Sequence, residues 1–324
     1  MCPEDHRLTP AQKPKLPLVV ILGPTAVGKT QVSLLVASRL SAEIVSADSR
    51  LLYTGMDIGT AKPTIEERRL VPHHLIDVAT PDQVWSLAQY QAAASAAITA
   101  IHQRNRLPIL VGGTGQYIHA LTQGWEIPPA APDLALRQAL ERWGAQIGAL
   151  ALHRRLAILD AQAAATIDPA NIRRTIRALE VIFTTGQRFS AQRRRNAPPY
   201  AILQVGIMRS RAELYQRVDE RIEQMIQAGF LAEVQSLLEQ GYASNLPTMS
   251  AIGYGEIAGY LSSACSLDEA ILQIKRRTRI FIRRQANWFK PDGPAIHWIS
   301  ANDDTATQAE QIIAQWLKTN PSQG

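Results

Sequence analysis

Residues 16–30 read LPLVVILGPTAVGKT and carry the strongest structural signal in the chain. Leu16–Leu22 is short, apolar and rich in β-branched residues, which is typical of a buried strand. Lys29–Leu40 continues with apolar residues at helical spacing. Between them, Gly23–Thr30 matches GxxxxGK[ST] in the context that this pattern requires, after a strand and before a helix. The stretch therefore predicts the first strand, the phosphate-binding loop and the first helix of an α/β domain.

The alternation of strand and helix continues outward from this stretch. Ala42–Val45 and Pro108–Val111 have the composition of further buried strands, and the alanine-rich Ser86–Arg104 predicts a helix between them. Such alternation is typical of a parallel sheet with helices on its faces. From about Gly124 only helical patterns occur, until Tyr200–Ile207 predicts a strand that rejoins the sheet.

We therefore predict the α/β class, with a P-loop NTPase-like parallel sheet core and a helical insertion domain. The predicted core comprises residues 16–123 and 200–324, and the predicted insertion comprises residues 124–199. Residues 1–15 are expected to form a flexible tail. The longest helix of the core is predicted over Leu267–Phe289.

The composition excludes several classes of protein. With 324 residues and 46% hydrophobic content, the chain can fill a substantial core, which excludes a disordered or fibrous protein. Its longest apolar run, Leu16–Leu22, is far shorter than the roughly 20 residues of a membrane span. Cys2 and Cys265 lie too far apart for a CxxC zinc site and make no disulfide framework. We expect a cytoplasmic monomer with no membrane attachment and no obligate protein partner.

The phosphate loop predicts an anion site without identifying the phosphate ester. Its glycines let successive N–H groups face one anion, Lys29 adds positive charge, and the Thr30 hydroxyl can bind Mg²⁺. Nucleotide binding, ATP above all, with phosphoryl transfer is the first expectation. The strand Pro108–Val111, however, ends in Gly112-Gly113-Thr114 rather than in a carboxylate. Asp48 is the carboxylate best placed after a buried strand, where it can hold Mg²⁺ or act as a base.

Basic residues are concentrated in two parts of the chain. Gln273–Lys290 contains seven Lys and Arg and no acidic residue, and Arg276, Arg279 and Arg283 share one face of the predicted helix. A second cluster extends from Arg173 to Arg195. Arginine neutralises phosphates and stacks on splayed bases, so the clusters favour a nucleic-acid ligand, with RNA weakly preferred.

Two functions fit these residues without further information. A P-loop kinase of a small metabolite accounts for the loop and leaves the arginines unexplained. A non-catalytic RNA-binding NTPase switch accounts for the loop and the arginines, and leaves Asp48 and Thr114 without chemical roles.

Read in order, seven stretches resemble the tRNA dimethylallyltransferase (tRNA isopentenyltransferase) family, in its bacterial form. They extend over nearly the whole chain and are GPTAVGKT at 23–30, SADSRLLYTGMDIGTAKP at 46–63, VPHHLID at 71–77, PILVGGTGQYI at 108–118, NIRRTIRALEV at 171–181, AIGYGE at 251–256 and TRIFIRRQANWF at 278–289.

The resemblance implies transfer of a dimethylallyl group from dimethylallyl diphosphate to N6 of the adenosine immediately 3′ of the anticodon, releasing diphosphate. Asp48 is then the candidate base for the N6 proton, Thr114 hydrogen-bonds to the target base, and Lys29 meets the charge of the leaving group. Mg²⁺ is expected at Thr30, and Asp48 is a second candidate ligand, as base, metal ligand or both. The donor's diphosphate is assigned to the phosphate loop, that is Gly23, Pro24, Thr25, Ala26, Val27, Gly28, Lys29 and Thr30.

The resemblance also implies contacts with the tRNA anticodon stem–loop. Where related sequences often have a basic residue after Gly-Tyr, this chain has Gly255, so that contact is either missing or supplied by Arg276 or Arg277. The residues to which RNA contacts are assigned are Asp48, Ser49, Arg50, Leu51, Thr114, Arg137, Arg173, Arg174, Thr175, Ile176, Arg177, Gly253, Tyr254, Arg283, Arg284, Gln285, Trp288 and Lys290.

Overall fold

The computed structural model describes residues 15–127, 133–192, 196–290 and 295–320. Most of the predicted tail and the arginines at 193–195 lie outside these residues. The described strands form one parallel sheet in the order β3-β2-β4-β1-β5-β6. They are β1 Leu16–Leu22, β2 Ala42–Ala47, β3 His73–His74, β4 Leu107–Gly112, β5 Tyr200–Met208 and β6 Ile296–Ser300.

Helices connect these strands and form most of the rest of the described chain. They are α1 Lys29–Arg39, α2 Ile65–Leu70, α3 Leu87–Gln103, α4 Gly115–Thr122, α5 Leu134–Ile147, α6 Ala149–Leu159, α7 Ala161–Thr166, α8 Ile172–Thr185, α9 Arg211–Gln227, α10 Phe230–Glu239, α11 Tyr254–Leu261, α12 Leu267–Ala286 and α13 Thr305–Thr319.

The predicted α/β class with a parallel sheet is confirmed. Helix α12 ends at Ala286, three residues before the predicted end, because the Trp288 N–H turns back to the Gln285 carbonyl. Strand β3 was not predicted, since two histidines at a sheet edge give no periodic signal. The short helix α2 was also missed, although Thr64 and Glu67 form a capping box at its start.

Strand β1 lies at the centre of the core. Its residues Leu18 to Leu22 are fully buried, as expected for a parallel strand that is covered on both faces. Helices α1 and α13 pack against each other and against the sheet, and α9 to α12 pack as a second helical group. Because parallel strands share one direction, the loops that follow β1, β2, β4 and β5 emerge at the same edge of the sheet.

The chain divides into two compact units. The first comprises residues 1–85, 93–118 and 199–324 and contains the sheet. The second comprises residues 86–92 and 119–198, and its described part has a core of its own around Leu152, Leu156 and Leu179. None of the described helices is both long enough and apolar enough to cross a bilayer.

Candidate active site

The ends of three neighbouring strands bring the predicted catalytic residues to one edge of the sheet. Leu22 of β1 and Ala47 of β2 both pair with Gly112 of β4. The residues that follow these strands are therefore the start of the phosphate loop, Asp48, and the Gly113–Thr114 turn. This is the edge at which open α/β sheets bind their ligands.

The phosphate loop is tightly curled and is held from outside by two arginines. Ala26 and Gly28 both have positive φ, of 66° and 107°. The Arg217 Nε donates to the Ala26 carbonyl at 2.9 Å, and the Arg209 Nε donates to the Val27 carbonyl at 3.2 Å. Two carbonyls of the loop are thus bonded to arginine side chains that follow β5 in the chain.

The Lys29 ammonium lies inside this curl. Its Nζ donates to the carbonyls of Gly23 and Pro24, at 3.0 and 2.7 Å. Burial lowers the pKa of Lys29 to about 8, with the Asp48 charge opposing the shift and Arg221 adding to it. Lys29, Asp48 and Arg221 thus lie close enough to interact electrostatically.

Asp48 and Thr114 belong to two loops that are bonded to each other. The Ser49 N–H donates to Thr114 Oγ1 at 3.2 Å, and the Thr114 N–H donates to the Ala47 carbonyl at 3.2 Å. The Arg50 N–H donates to Asp48 Oδ1 at 2.9 Å, which fixes the carboxylate in a local turn. The structure therefore brings together the predicted base, the predicted target-base contact and the phosphate loop.

Two residues near Asp48 were missed by sequence reasoning. Arg221 is partly buried on α9 and donates to the Thr60 carbonyl at 3.4 Å, and burial lowers its pKa while Asp48 raises it. Tyr117 on α4 is buried, and its pKa is raised by that burial and by the nearby Tyr53 and Asp48. Arg221 gave no signal because α9 alternates arginines with glutamates and looks balanced in charge.

The cationic face predicted on α12 is only partly available to a ligand. Arg279 pairs with Asp219 of α9 at 2.6 Å and lies over the Tyr215 ring, and Lys275 pairs with Glu223 at 2.9 Å. Arg277 pairs with Glu256 of α11, so it is not a free substitute for a basic residue at position 255. Four basic residues of the Gln273–Lys290 stretch form no ion pair with the described residues, namely Arg276, Arg283, Arg284 and Lys290.

Gln285 does not face solvent with its neighbours. The side chains of Arg283, Arg284, Trp288 and Lys290 are exposed, whereas Gln285 is only 5% exposed. Its amide is bonded inside the first unit, and its contact with RNA stays a prediction.

The second unit brings two predicted RNA-contacting arginines onto one carboxylate. Glu180 is buried in α8 and accepts from Arg137 at 2.8 Å and from Arg177 at 2.9 Å. Each arginine side chain keeps about a third of its exposure, with values of 33% and 32%. Both side chains are thus oriented by Glu180 and still partly exposed.

The remaining predicted RNA contacts divide between surface and interior. Arg173 and Arg174 are exposed on α8, whereas Thr175 and Ile176 are buried, the latter in the helical core. The predicted RNA contacts of these last two side chains find no support in this placement. At the end of β2, Ser49, Arg50 and Leu51 are half-buried.

Gly253 and Tyr254 also lie in the interior. The Tyr254 side chain is fully buried and donates to Glu233 Oε1 at 2.6 Å, and burial raises its pKa. Glu233 in turn accepts from the N–H groups of residues 57, 58 and 59. A Cβ on Gly253 would lie 2.8 Å from the Phe230 ring. Tyr254 thus packs in the interior and bonds to the carboxylate that anchors residues 57 to 59, and its RNA contact stays a prediction.

This fold and this site define an α/β enzyme of the P-loop type. Its phosphate loop follows the central strand β1. Asp48 follows β2, and Thr114, rather than a second carboxylate, follows β4. Comparison with known proteins then identifies the family. The family model described as IPP transferase matches residues 51–292.

Individual relatives agree with the family model. The chain is 51% identical to a tRNA dimethylallyltransferase of Roseiflexus sp. (strain RS-1), over 93% of this chain and 99% of the relative. It is 46% identical to a tRNA dimethylallyltransferase of Dehalococcoides mccartyi, over 96% of both. Among solved structures, the tRNA isopentenylpyrophosphate transferase of Bacillus halodurans matches with a TM-score of 0.71 and 40% identity, over 94% of this chain and 98% of that one. The chain belongs to the tRNA dimethylallyltransferase family, which leaves the kinase and the NTPase-switch alternatives without support.

Proposed function

We propose that this enzyme transfers a dimethylallyl group from dimethylallyl diphosphate to N6 of the adenosine immediately 3′ of the anticodon in tRNA. The observation that carries the proposal is the Ser49 N–H to Thr114 Oγ1 bond, which joins the loop of the candidate base to the loop of the target-base contact. Both loops lie beside a phosphate loop whose lysine interacts with Asp48.

The donor's diphosphate is assigned to the phosphate loop. Its oxygens would accept from the loop N–H groups and from Lys29, with Arg221 as a further cation near the same site. In the reaction the bond between the allylic carbon and the diphosphate oxygen breaks, and the oxygen keeps the electron pair. Positive charge from Lys29 and Arg221 stabilises the charge that develops there.

The acceptor is the exocyclic amino group of adenine, a poor nucleophile because its lone pair is delocalised. As N6 forms its bond to the allylic carbon it must lose a proton, and the Asp48 carboxylate is the base assigned to take it. Thr114 would orient the base through its hydroxyl. Taking a base out of its stack costs about a few kcal/mol of free energy, and the cost is smaller for an unpaired loop nucleotide than for a duplex base.

Mg²⁺ is part of the proposal, and the residues present fit it. A hydroxyl and a carboxylate are hard oxygen donors of the kind that Mg²⁺ prefers, and the Thr30 hydroxyl has no hydrogen-bond partner among the described residues. The described residues contain no cluster of three acidic, His or Cys ligands, so Thr30 and Asp48 would share the ion with diphosphate oxygens. When bound, Mg²⁺ would neutralise charge on the leaving diphosphate.

The anticodon stem–loop is the proposed partner of the exposed arginines. Arg283, Arg284 and Lys290 at the end of α12, with Arg137, Arg173, Arg174 and Arg177 in the second unit, would contact phosphates. We place the reaction in the cytoplasm and assign it to a monomer without a protein partner.

Radiolabel transfer from dimethylallyl diphosphate to unmodified tRNA, with Mg²⁺ and without ATP, tests the proposed function. We expect label in RNA with the wild-type enzyme, and a loss of about 100-fold or more in Asp48→Asn while tRNA still binds. Asp303→Asn removes an exposed carboxylate far along the chain and should keep full transfer. Absence of label from the wild type, together with ATP turnover in the same preparation, would overturn the proposal.

A further inference from the structure

The Gln285 side chain connects two loops that lie far from it in the sequence. Its Oε1 accepts from the Thr25 N–H of the phosphate loop at 2.9 Å. Its Nε2 donates to the Gly113 carbonyl at 3.1 Å, next to Thr114. Both ends of one buried amide are therefore bonded, the oxygen to the phosphate loop and the nitrogen to the Gly113–Thr114 turn.

The backbone around Gln285 is built to admit this side chain. A Cβ on Gly113 would lie 2.4 Å from the Gln285 Nε2, so only glycine leaves room for the amide. Three residues further on, just beyond the end of α12, Trp288 packs over Gly115, whose Cβ would lie 2.2 Å from the indole ring. The end of α12 thus rests on the Gly113–Gly115 turn at two points.

The opposite side of the same helix end is exposed and cationic. Arg283 and Arg284 are the two residues before Gln285, and they form no ion pair with the described residues. RNA phosphates that bind these arginines would fix the position of the helix end. Fixing the helix end also fixes the amide that holds Thr25 and Gly113.

We propose that Gln285 is a positioning residue that couples RNA binding on the outside of α12 to donor binding at the phosphate loop. RNA that orders the helix end would order Thr25 through Gln285, so that less conformational entropy is lost when the diphosphate binds. The coupling is therefore positive, and by linkage the donor must also tighten RNA binding by the same factor. This inference rests on the proposed function, because it takes the donor and the RNA as the two ligands.

Calorimetric titration of an unreactive thio analogue of dimethylallyl diphosphate, with and without saturating anticodon stem–loop RNA, measures the coupling. In the wild type we expect the RNA to lower the dissociation constant of the analogue about tenfold, within the usual range of coupling factors. Gln285→Met keeps the size of the side chain but forms neither bond, and should reduce this factor to about twofold or less. The matched control is Gln273→Met, an exposed glutamine on the same helix, which should keep the wild-type factor.

A second variant guards against simple loss of folding. Gln285→Glu keeps an acceptor for the Thr25 N–H and faces the Gly113 carbonyl with a second acceptor, so it breaks one bond only. Its added charge weakens donor binding with and without RNA alike, so the ratio of the two dissociation constants remains the readout, and we expect it to fall.

The outcomes separate the two proposals. A ratio near one in the wild type, or an unchanged tenfold ratio in both Gln285 variants, overturns the coupling while label transfer stays intact. Absence of label transfer in the wild type overturns the proposed function, and the coupling with it.

Discussion

At the scale of the residue, the charge on Lys29 should depend on pH just above neutrality. The ammonium is satisfied by two carbonyls and desolvated by the loop, and its pKa is lowered to about 8. Its folded-state pKa is below the ordinary value, so the folded chain releases this proton before the unfolded chain does. From this group alone, the free energy of unfolding rises with pH between about 8 and 10.5.

Donor binding should show the opposite dependence on pH. A diphosphate ester binds to the charged lysine, and only about a tenth of the lysine is charged at pH 9. We expect the dissociation constant of the donor analogue to be about tenfold higher at pH 9 than at pH 7, measured by calorimetry. Lys29→Ala should bind the analogue more weakly and without this dependence, because the diphosphate is already fully ionised in this range. An equal pH dependence in both proteins would contradict the assignment.

Gly255 is a position where a larger residue should be accepted. A Cβ there would meet only the Met249 carbonyl, at 3.5 Å, and its φ is not in the left-handed region. Gly255→Arg should therefore fold, gain helix propensity, and bind the anticodon stem–loop several-fold more tightly at low salt.

Fluorescence anisotropy across a salt series measures this effect. One added phosphate contact should steepen the slope of log affinity against log salt by about 0.7 to 0.9. Gly255→Gln gives the same backbone benefit without charge and should leave the slope unchanged. If the arginine and glutamine variants have the same slope, position 255 does not contact RNA.

At the scale of the element, α12 separates structural from RNA-binding arginines. Arg279→Ala removes a partly exposed ion pair with Asp219 and a contact with the Tyr215 ring, which should lower the free energy of unfolding by about 1 kcal/mol. Its effect on the salt dependence of RNA binding should be small.

The exposed arginines of α12 should behave in the reverse way. Arg283→Ala and Arg284→Ala should each change the free energy of unfolding by less than about 0.5 kcal/mol. Each should reduce the slope of log affinity against log salt by about 1, the share of one phosphate contact. Denaturant unfolding and anisotropy on the same three variants make the comparison. A salt slope that falls in Arg279→Ala and not in the other two would show that the ion pairs open when RNA binds.

At the scale of the whole molecule, the two compact units have separate cores. Leu156 is fully buried in the core of the second unit, and Val20 is fully buried in β1 of the first. Because each core is lined by residues of its own unit, a cavity in one should weaken that unit first.

Hydrogen exchange measured by mass spectrometry can locate this weakening. Leu156→Ala should cost about 2–5 kcal/mol and accelerate exchange in peptides of α5 to α8, while peptides of β1, β4 and β5 stay protected. Ile158→Ala, on the same helix but 76% exposed, is the matched control and should change neither region. Uniform acceleration throughout the chain in Leu156→Ala would mean that the two units unfold as one.

The sequence alone determined the sheet class, the phosphate loop and the strand ends that carry Asp48 and Thr114. These features depend on local periodicity and on short motifs, which neighbouring residues specify by themselves. Only the tertiary structure decided which basic residues of the α12 region form ion pairs within the protein and which do not. Lys275, Arg277 and Arg279 look like one cationic cluster in the sequence, but acidic residues of α9 and α11 pair with them.

Tertiary packing likewise turned Gln285 inward and placed Arg137 and Arg177 on Glu180. Buried amides and carboxylates must find hydrogen-bond partners, and here some of those partners lie more than a hundred residues away in the chain. No local pattern records such a pairing. The positions of the loops that form the site were therefore predictable from the sequence, whereas the contacts that orient its side chains follow from the fold.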